Sequence, residues 1–318
     1  MAADFSNIDT TFNAALSEAL RPGGYFPEGS FTAYNLDGKT NLNLPINISR
    51  IADNLADVTN NLPIPNEEIG KVTLSADEPI KTNTWIGDQD IEDHGISIVG
   101  EYAKGVATDI MEGEAHRMSA FLIKTALDAG QYTVIDDEKS GSETWDEYFT
   151  RQQHAIDLGL QSLRMRHVKG AYYGLVYPSL FTAANKSQWA GSADYNANAM
   201  TGIPQRRLTV SNSVLYEETS VFDFNWGDNA DSTKPTNLPA KYGEDFANYQ
   251  VKAVLWSNMA LAIGRSAEPS VEKERHAGRS AWEYVARSRF GTAMKYAEGV
   301  QVILADGGSG SAEGTFDV

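Results

Sequence analysis

Three groupings of side chains in this sequence have the residue types that chemistry uses. The first is acidic: Asp88, Asp90, Glu92 and Asp93 stand close together. A calcium loop needs alternating oxygen ligands, a glycine at its sixth position and a glutamate at its twelfth. Counted from Asp88, Glu92 is fifth, Asp93 replaces the glycine and Val99 is twelfth. The pattern fails, and the cluster is expected to be a solvated cap ahead of a helix. The second grouping is Glu112 with His116, four residues apart on a predicted helix. Zinc takes at least three protein ligands, and no other histidine stands at motif spacing. A surface ion pair, with Arg117 nearby, is the expectation. The third is basic: Lys273, Arg275, His276, Arg279, Arg287, Arg289 and Lys295, interleaved with Glu268, Glu272, Glu274, Glu283 and Glu298. Mixed signs along strands suit salt bridges between strands or subunits better than a grip on nucleic acid.

Nothing else assembles a reactive set. The histidines at 94, 116, 154, 167 and 276 are scattered. There is no Gly-x-Ser-x-Gly elbow for a serine nucleophile and no Gly-x4-Gly-Lys-Ser/Thr phosphate loop. A pair of carboxylates for glycoside hydrolysis can be picked from so acidic a chain, but its separation is not written in the sequence. Asn47-Ile48-Ser49 fits a glycosylation acceptor, with nothing to direct the chain to a secretory route. No catalytic residue, metal or cofactor is assigned.

Composition bounds the rest. The 318 residues carry 26 basic and 43 acidic side chains, a net charge of −17. That charge does not suit the chain to holding a nucleic-acid backbone. An apolar content of 42% is ordinary for a globular protein. The absence of cysteine excludes disulfides, thiolate metal sites and a cysteine nucleophile. No apolar run approaches the ~18 residues of a membrane span. Met1–Ser6 shows no signal-peptide pattern, so a cytoplasmic origin is expected. The length allows about two domains or one with insertions.

The elements that must position these groups follow from periodicity. Phe5, Ile8, Phe12, Leu16 and Leu20 recur at helical spacing and predict an amphipathic helix over 3–20, stopped by Arg21-Pro22-Gly23-Gly24. Such a helix docks on its own domain or, as an arm, on a neighbouring subunit. Residues 37–85 are rich in Asn, Asp and Pro; Leu42-Asn43-Leu44 and Lys71-Val72-Thr73-Leu74 alternate like exposed strands, predicting an extended two-stranded arm. Residues 96–129 predict a long helix, with Ile96, Val99, Tyr102, Val106, Ile110, Met118, Phe121, Leu122 and Thr125 near one face. Gly100, Gly105 and Gly113 fall within it, each costing ~1 kcal/mol against alanine, so the helix either breaks or is built to bend.

A second amphipathic helix is predicted over 145–168, with basic residues at its negative pole. A buried strand follows at Tyr172–Tyr177, then a short helix from Pro178. Further strands are predicted at 207–210, 249–256, 270–276, 281–289 and 299–305, with a polar surface loop at 217–247 and a Gly/Ser-rich tail from 307. No repeat of 20–50 residues is present. The shape is that of a chain reaching toward neighbours.

That order resembles the major capsid proteins of tailed bacteriophages, most like the short-tailed podophage branch, from about Gly38 to Ala305. Gly38-Lys39 and Lys71–Leu74 bracket the arm. Thr84-Trp85-Ile86-Gly87-Asp88-Gln89-Asp90-Ile91-Glu92-Asp93 is similar to the family's lead into its long helix. Gly170–Phe181 is similar to its strand ending in proline before a helix, and Tyr249–Arg265 with the Arg-rich strand ending near Phe290-Gly291 to its closing strands. The 217–247 loop departs from the pattern.

The resemblance implies an α+β fold of the tailed-phage and herpesvirus capsid type. It implies an N-terminal arm (1–37), an extended loop (38–85), a peripheral domain on the long spine helix (86–140 and 264–306), an axial domain (141–263) and a flexible tail (307–318). Family members form hexamers and pentamers that tile an icosahedral virion shell around double-stranded DNA. They assemble in the host cytoplasm on a scaffolding protein as a procapsid with a portal protein at one vertex; some bind a decoration protein. Subunit contacts are expected from Phe5, Ile8, Phe12 and Leu16, and from Arg50, Glu67, Glu68 and Lys71 on the loop. Gly100, Gly105 and Gly113 are expected to let the spine bend on expansion. The alternatives are an encapsulin-type compartment, a carboxylate-based polysaccharide hydrolase, and a monomeric binding module from a phage tail.

Overall fold

The structure, a computed structural model, describes residues 8–20, 26–27, 29–36, 39, 41–46, 70–75, 79–136, 139–166, 168–186, 194–197, 204–210, 213–218, 249–265 and 270–306. Its largest unit is a sheet of seven strands: β5 (Tyr132–Asp136), β6 (Tyr172–Val176), β7 (Asp194–Ala197), β8 (Pro204–Val210), β9 (Ser213–Glu217), β10 (Tyr249–Ser257) and β15 (Val300–Asp306). Their order is β5-β15-β10-β6-β9-β8-β7. β10 is buried from Val251 to Ser257 because both faces of the sheet are covered. The long helix α3 (Ser97–Asp128) covers Val302 and Leu304 on one side. On the other side, α4 (Trp145–Met165) and α5 (Pro178–Lys186) cover Ala253, Leu255 and Ile303. This double burial explains the continuous apolar runs of these strands.

α4 starts where the sequence stops it from starting earlier: Thr144 Oγ1 accepts from the Glu147 N–H, and Glu147 bonds back to the Thr144 N–H at 2.8 Å. Gly159 faces the sheet, where a Cβ would lie 2.8 Å from Leu255 Cδ1. The missing side chain lets the helix settle onto β10.

α3 runs unbroken for 32 residues, about 48 Å. The three glycines therefore do not break it. Val99, Val106, Ile110, Met118 and Leu122 are buried as the periodicity predicts, but Ile96 is 38% exposed. Ala103, Ala107, Met111 and Ala115 are buried as well. The helix is enclosed on more than one side, by the sheet, by α1 (Ile8–Ala19) and by β4 (Ile80–Gly87).

Two smaller sheets flank α3. One has the order β1 (Thr32–Asn35), β11 (Leu261–Arg265), β14 (Phe290–Met294). The other places β13 (Ala281–Ser288) between β12 (Ser270–His276) and β4. Between β4 and α3 the acidic cluster forms a short helix, α2 (Asp88–His94), rather than a solvated cap alone. A two-stranded ribbon, β2 (Asn41–Ile46) with β3 (Gly70–Ser75), pairs Leu42 with Leu74 and Leu44 with Val72.

Candidate assembly surfaces

The ribbon of β2 and β3 is the part of the molecule whose sequence has least core of its own, and its root is firmly seated. Leu44 and Leu74 are 1% and 0% exposed, packed with Leu36, Ala262 and Ala293. This corrects the expectation of exposed strands. The seat exists because residue 264 is glycine: a Cβ there would lie 2.2 Å from Leu74 Cδ2 and 3.0 Å from Leu36 Cδ2. Lys71, expected at a subunit contact, is exposed near the end of β3. Arg50, Glu67 and Glu68 lie outside the described residues, as do Phe5, the 217–247 loop beyond residue 218 and the tail from 307.

The N-terminal helix is placed differently from a free arm. Ile8, Phe12 and Leu16 are 2%, 0% and 1% exposed within one chain. Phe12 stacks on Tyr284 with ring centroids 4.4 Å apart, and the Tyr284 hydroxyl donates to Asp9 Oδ1 at 3.0 Å. Burial first, and then Asp9, hold the Tyr284 phenol well above the ordinary tyrosine range. These three apolar side chains meet the chain's own α3 and β13, so no subunit contact is placed on them.

The three glycines of α3 divide by environment. A Cβ at Gly113 would stand 3.1 Å from Ile80 Cγ2, so this glycine admits β4. At Gly100 the nearest atom is Ala15 Cβ at 3.9 Å, and at Gly105 nothing lies within 4 Å. Near the middle of the helix Glu114, fully buried, meets Arg265 Nε at 3.1 Å and accepts from Ser288 Oγ at 3.2 Å. This pair fastens α3 to β11 and β13. Sequence reasoning missed it, because a lone glutamate on a helix has the signature of an exposed face.

The basic grouping is paired within the chain. Arg287 meets Glu272 at 2.9 Å and His276 Nε2 meets Glu283 at 2.9 Å. Lys273 pairs with Asp9 and Arg275 with Asp88. The cations also lie over rings: Lys273 and Arg275 at 5.3 and 5.4 Å from Trp282, Arg279 at 4.8 Å from Trp85. Two of these four pairs join β12 to β13, and the other two join β12 to α1 and to α2. His116 Nε2 stands 3.9 Å from Glu112.

A cleft of about 340 Å³ between β4 and α3 contains Glu101 and Asp109. Their positions lie eight residues apart on one helix. Each already serves the fold: Glu101 holds Lys104 at 2.9 Å, and Asp109 accepts from Thr82 Oγ1 at 2.9 Å. Among the described residues no three His, Asp or Glu side chains gather to hold a metal, and no helix is long and apolar enough to cross a membrane.

The chain matches no protein-family sequence profile, and no curated protein matches it. Its backbone does have solved counterparts. The capsid structure of cyanophage P-SCSP1u superposes with a TM-score of 0.56 at 11% identity, covering 87% of this chain and 86% of that one. The mature capsid of bacteriophage PhiM1 gives 0.53 at 10% identity, covering 88% and 86%. A chain of Mycobacterium phage Adephagia gives 0.54 at 14%, covering 88% and 89%. With identities this low the likeness is one of architecture, and it runs through nearly the full length of each chain: the fold is that of phage capsid proteins.

Proposed function

We propose that this chain is the major capsid protein of a tailed phage of the podophage type. It assembles as hexamers and pentamers into an icosahedral shell around double-stranded DNA. The observation that carries the reading is the full-length likeness to the P-SCSP1u capsid chain. Two physical features support it. The β2–β3 ribbon has a fixed root beneath residues 47–69, which suits an extension that gains its burial on adjacent subunits. The net charge of −17 suits a wall against which packaged DNA slides rather than sticks. A shell subunit needs no reactive centre, because closure comes from many modest contacts.

In this reading residues 38–85 form the extended loop, 86–140 with 264–306 the peripheral domain around the spine, and 141–263 the axial domain. Arg50, Glu67, Glu68, Lys71 and Phe5 supply contacts between subunits. Assembly proceeds in the host cytoplasm on a scaffolding protein, with a portal protein at one vertex. The spine bends at Gly105, where no neighbouring side chain braces it. Gly105→Ala stiffens the helix by up to ~1 kcal/mol and is expected to slow procapsid expansion; expansion at the wild-type rate would remove the hinge.

The experiment is sedimentation with negative-stain microscopy of the chain expressed with and without its upstream neighbour gene. Closed shells of uniform diameter are expected. A monomer or small oligomer in both preparations overturns the reading, and shells that carry a cellular enzyme as cargo replace it with an encapsulin.

A further inference from the structure

α4 crosses the seven-stranded sheet from one end to the other, and its two ends carry unlike surfaces. Near its start, Gln152 Nε2 donates to the Asp136 carbonyl at 2.8 Å, where β5 and β15 finish side by side. At its exit, the Arg166 guanidinium donates to the Val300 carbonyl at 3.0 Å, where β15 begins. The 21 residues of the helix span about 32 Å. The exit end is basic and apolar. Arg164, Arg166 and Lys169 stand close together in the chain, with no acid among residues 164–169. Lys169 is exposed. Met165 is 71% exposed, more than any other large apolar side chain among the described residues. Met259, 50% exposed, stands in the turn that follows β10. That turn lies against the same end: the Asn258 N–H donates to the Ala171 carbonyl at 3.0 Å, and Ser257 Oγ donates to the Lys169 carbonyl at 2.7 Å.

The entry end is acidic. Asp146 and Glu147 are exposed in the first turn of α4. With Asp136 and Glu143 they outnumber Lys139 and Arg151, the cations that stand there. Acid at a helix N-terminus and base at its C-terminus complement the helix dipole. The dipole does not account for two exposed methionines beside the base. Methionine is the flexible, polarisable side chain that adaptable binding surfaces use. Each copy thus presents a basic, methionine-bearing end and an acidic end of opposite sign. Two basic ends meeting would set like charge on like, as would two acidic ends, whereas unlike ends attract.

We propose that the exit end of α4 docks on the entry end of α4 in a second copy, head to tail, with Lys169 toward Asp146 and with Met165 and Met259 covered. The inference rests on the capsid reading and names one interface within it. Unlike patches make a heterologous contact, and heterologous contacts close into rings when their rotation allows, as hexamers and pentamers require. The test is a charge exchange in the full-length chain, read as particle yield by sedimentation. Lys169→Asp and Asp146→Lys are each expected to lower the yield about tenfold, and the double variant to return it to within about twofold of wild type. Single variants that assemble like wild type overturn the contact, and so does a double variant as poor as the singles. A second readout needs no variant and so does not depend on the variants folding. Under peroxide, Met165 and Met259 are expected to oxidise about tenfold more slowly in wild-type particles than in dispersed subunits. Met111 and Met118, buried in α3, stay slow in both. Equal oxidation of Met165 and Met259 in the two states overturns the docking. Protection without rescue by the double variant overturns the occupant and assigns the exit end to another partner. Wild-type chain that forms no particles overturns the capsid reading and this inference with it; wild-type particles without protection overturn this inference alone.

Discussion

The seven-stranded sheet and the β12–β13–β4 sheet are held by different physics. In the first, Trp256, Leu255, Ile303 and Leu304 are essentially without exposure, and helices cover both faces. In the second, β12 is exposed at most of its positions. It is tied to its neighbours by ion pairs and by cations over Trp282 and Trp85. Apolar burial is not weakened by ionic screening, while exposed ion pairs are. The first sheet thus supplies a body of fixed shape, and the second a surface whose strength follows solution conditions.

The contrast breaks most sharply at Trp256. Its ring packs against Phe26, centroids 5.2 Å apart, and its Nε1 donates to the Ser30 carbonyl at 2.7 Å. Trp256→Ala is expected to cost about 3–5 kcal/mol, seen as a large fall in the thermal unfolding midpoint that added salt does not recover. A loss under about 1 kcal/mol would show that the sheet is not packed as described. Next comes the fastening of α3. Glu114→Ala leaves the Arg265 guanidinium buried beside no carboxylate and is expected to cost about 3 kcal/mol. Glu114→Gln, which keeps acceptors for Arg265 and Ser288, is expected to cost less in the same denaturation series.

How much of this was legible in the sequence depends on what kind of fact it was. Periodicity located α4, α5, β10 and the long helix, because each turns an apolar face to a partner and repeats it. Turn chemistry placed Pro178 at the start of α5, while the Thr144 cap that starts α4 went unread. Pattern does not say what covers a face. The apolar stripe of Ile8, Phe12 and Leu16 was equally consistent with an arm, and only the meeting with Tyr284, far along the chain, decides it. Leu44 and Leu74 lie in strands that alternate like exposed ones. Their burial needs Gly264, which is distant in sequence. The Glu114–Arg265 pair likewise joins two residues with no local signal. Of the expected subunit contacts, Lys71 alone is both described and exposed.

Tyr284 stands where the two kinds of region meet, packed on Phe12 but bonded to Asp9. Its raised pKa sets the sign of a pH effect. The neutral phenol is favoured in the folded chain, so its contribution is complete below the unfolded value near 10. It is lost as pH rises from there through the folded value. Tyr284→Phe is expected to cost about 1.5 kcal/mol at pH 7 for the lost bond to a charged acceptor. Above about pH 10 the difference from wild type shrinks, since the variant has no phenol to ionise. Urea denaturation at the two pH values reads this directly, and a constant difference would remove the Asp9 bond from the account.

The smallest expected effect sharpens the comparison most, because it tests the surface sheet on its own terms. Arg287 and Glu272 are diagonal neighbours across β12 and β13, 2.9 Å apart, with side chains 39% and 61% exposed. A pair this open gains little Coulomb energy against water and spends side-chain entropy to hold its geometry. A double-mutant cycle of Arg287→Ala and Glu272→Ala is expected to give a coupling below about 1 kcal/mol. The coupling should fade when ionic strength rises from about 0.01 to 1 M, as the screening length contracts from about 30 to 3 Å. A salt-independent coupling of several kcal/mol would mean that this face is buried, and, should the proposed shell form, the same cycle measured on dispersed subunits and on particles tells whether another copy covers it. A coupling that rises on assembly puts the charged sheet at a subunit interface, and one that stays the same leaves it facing solvent.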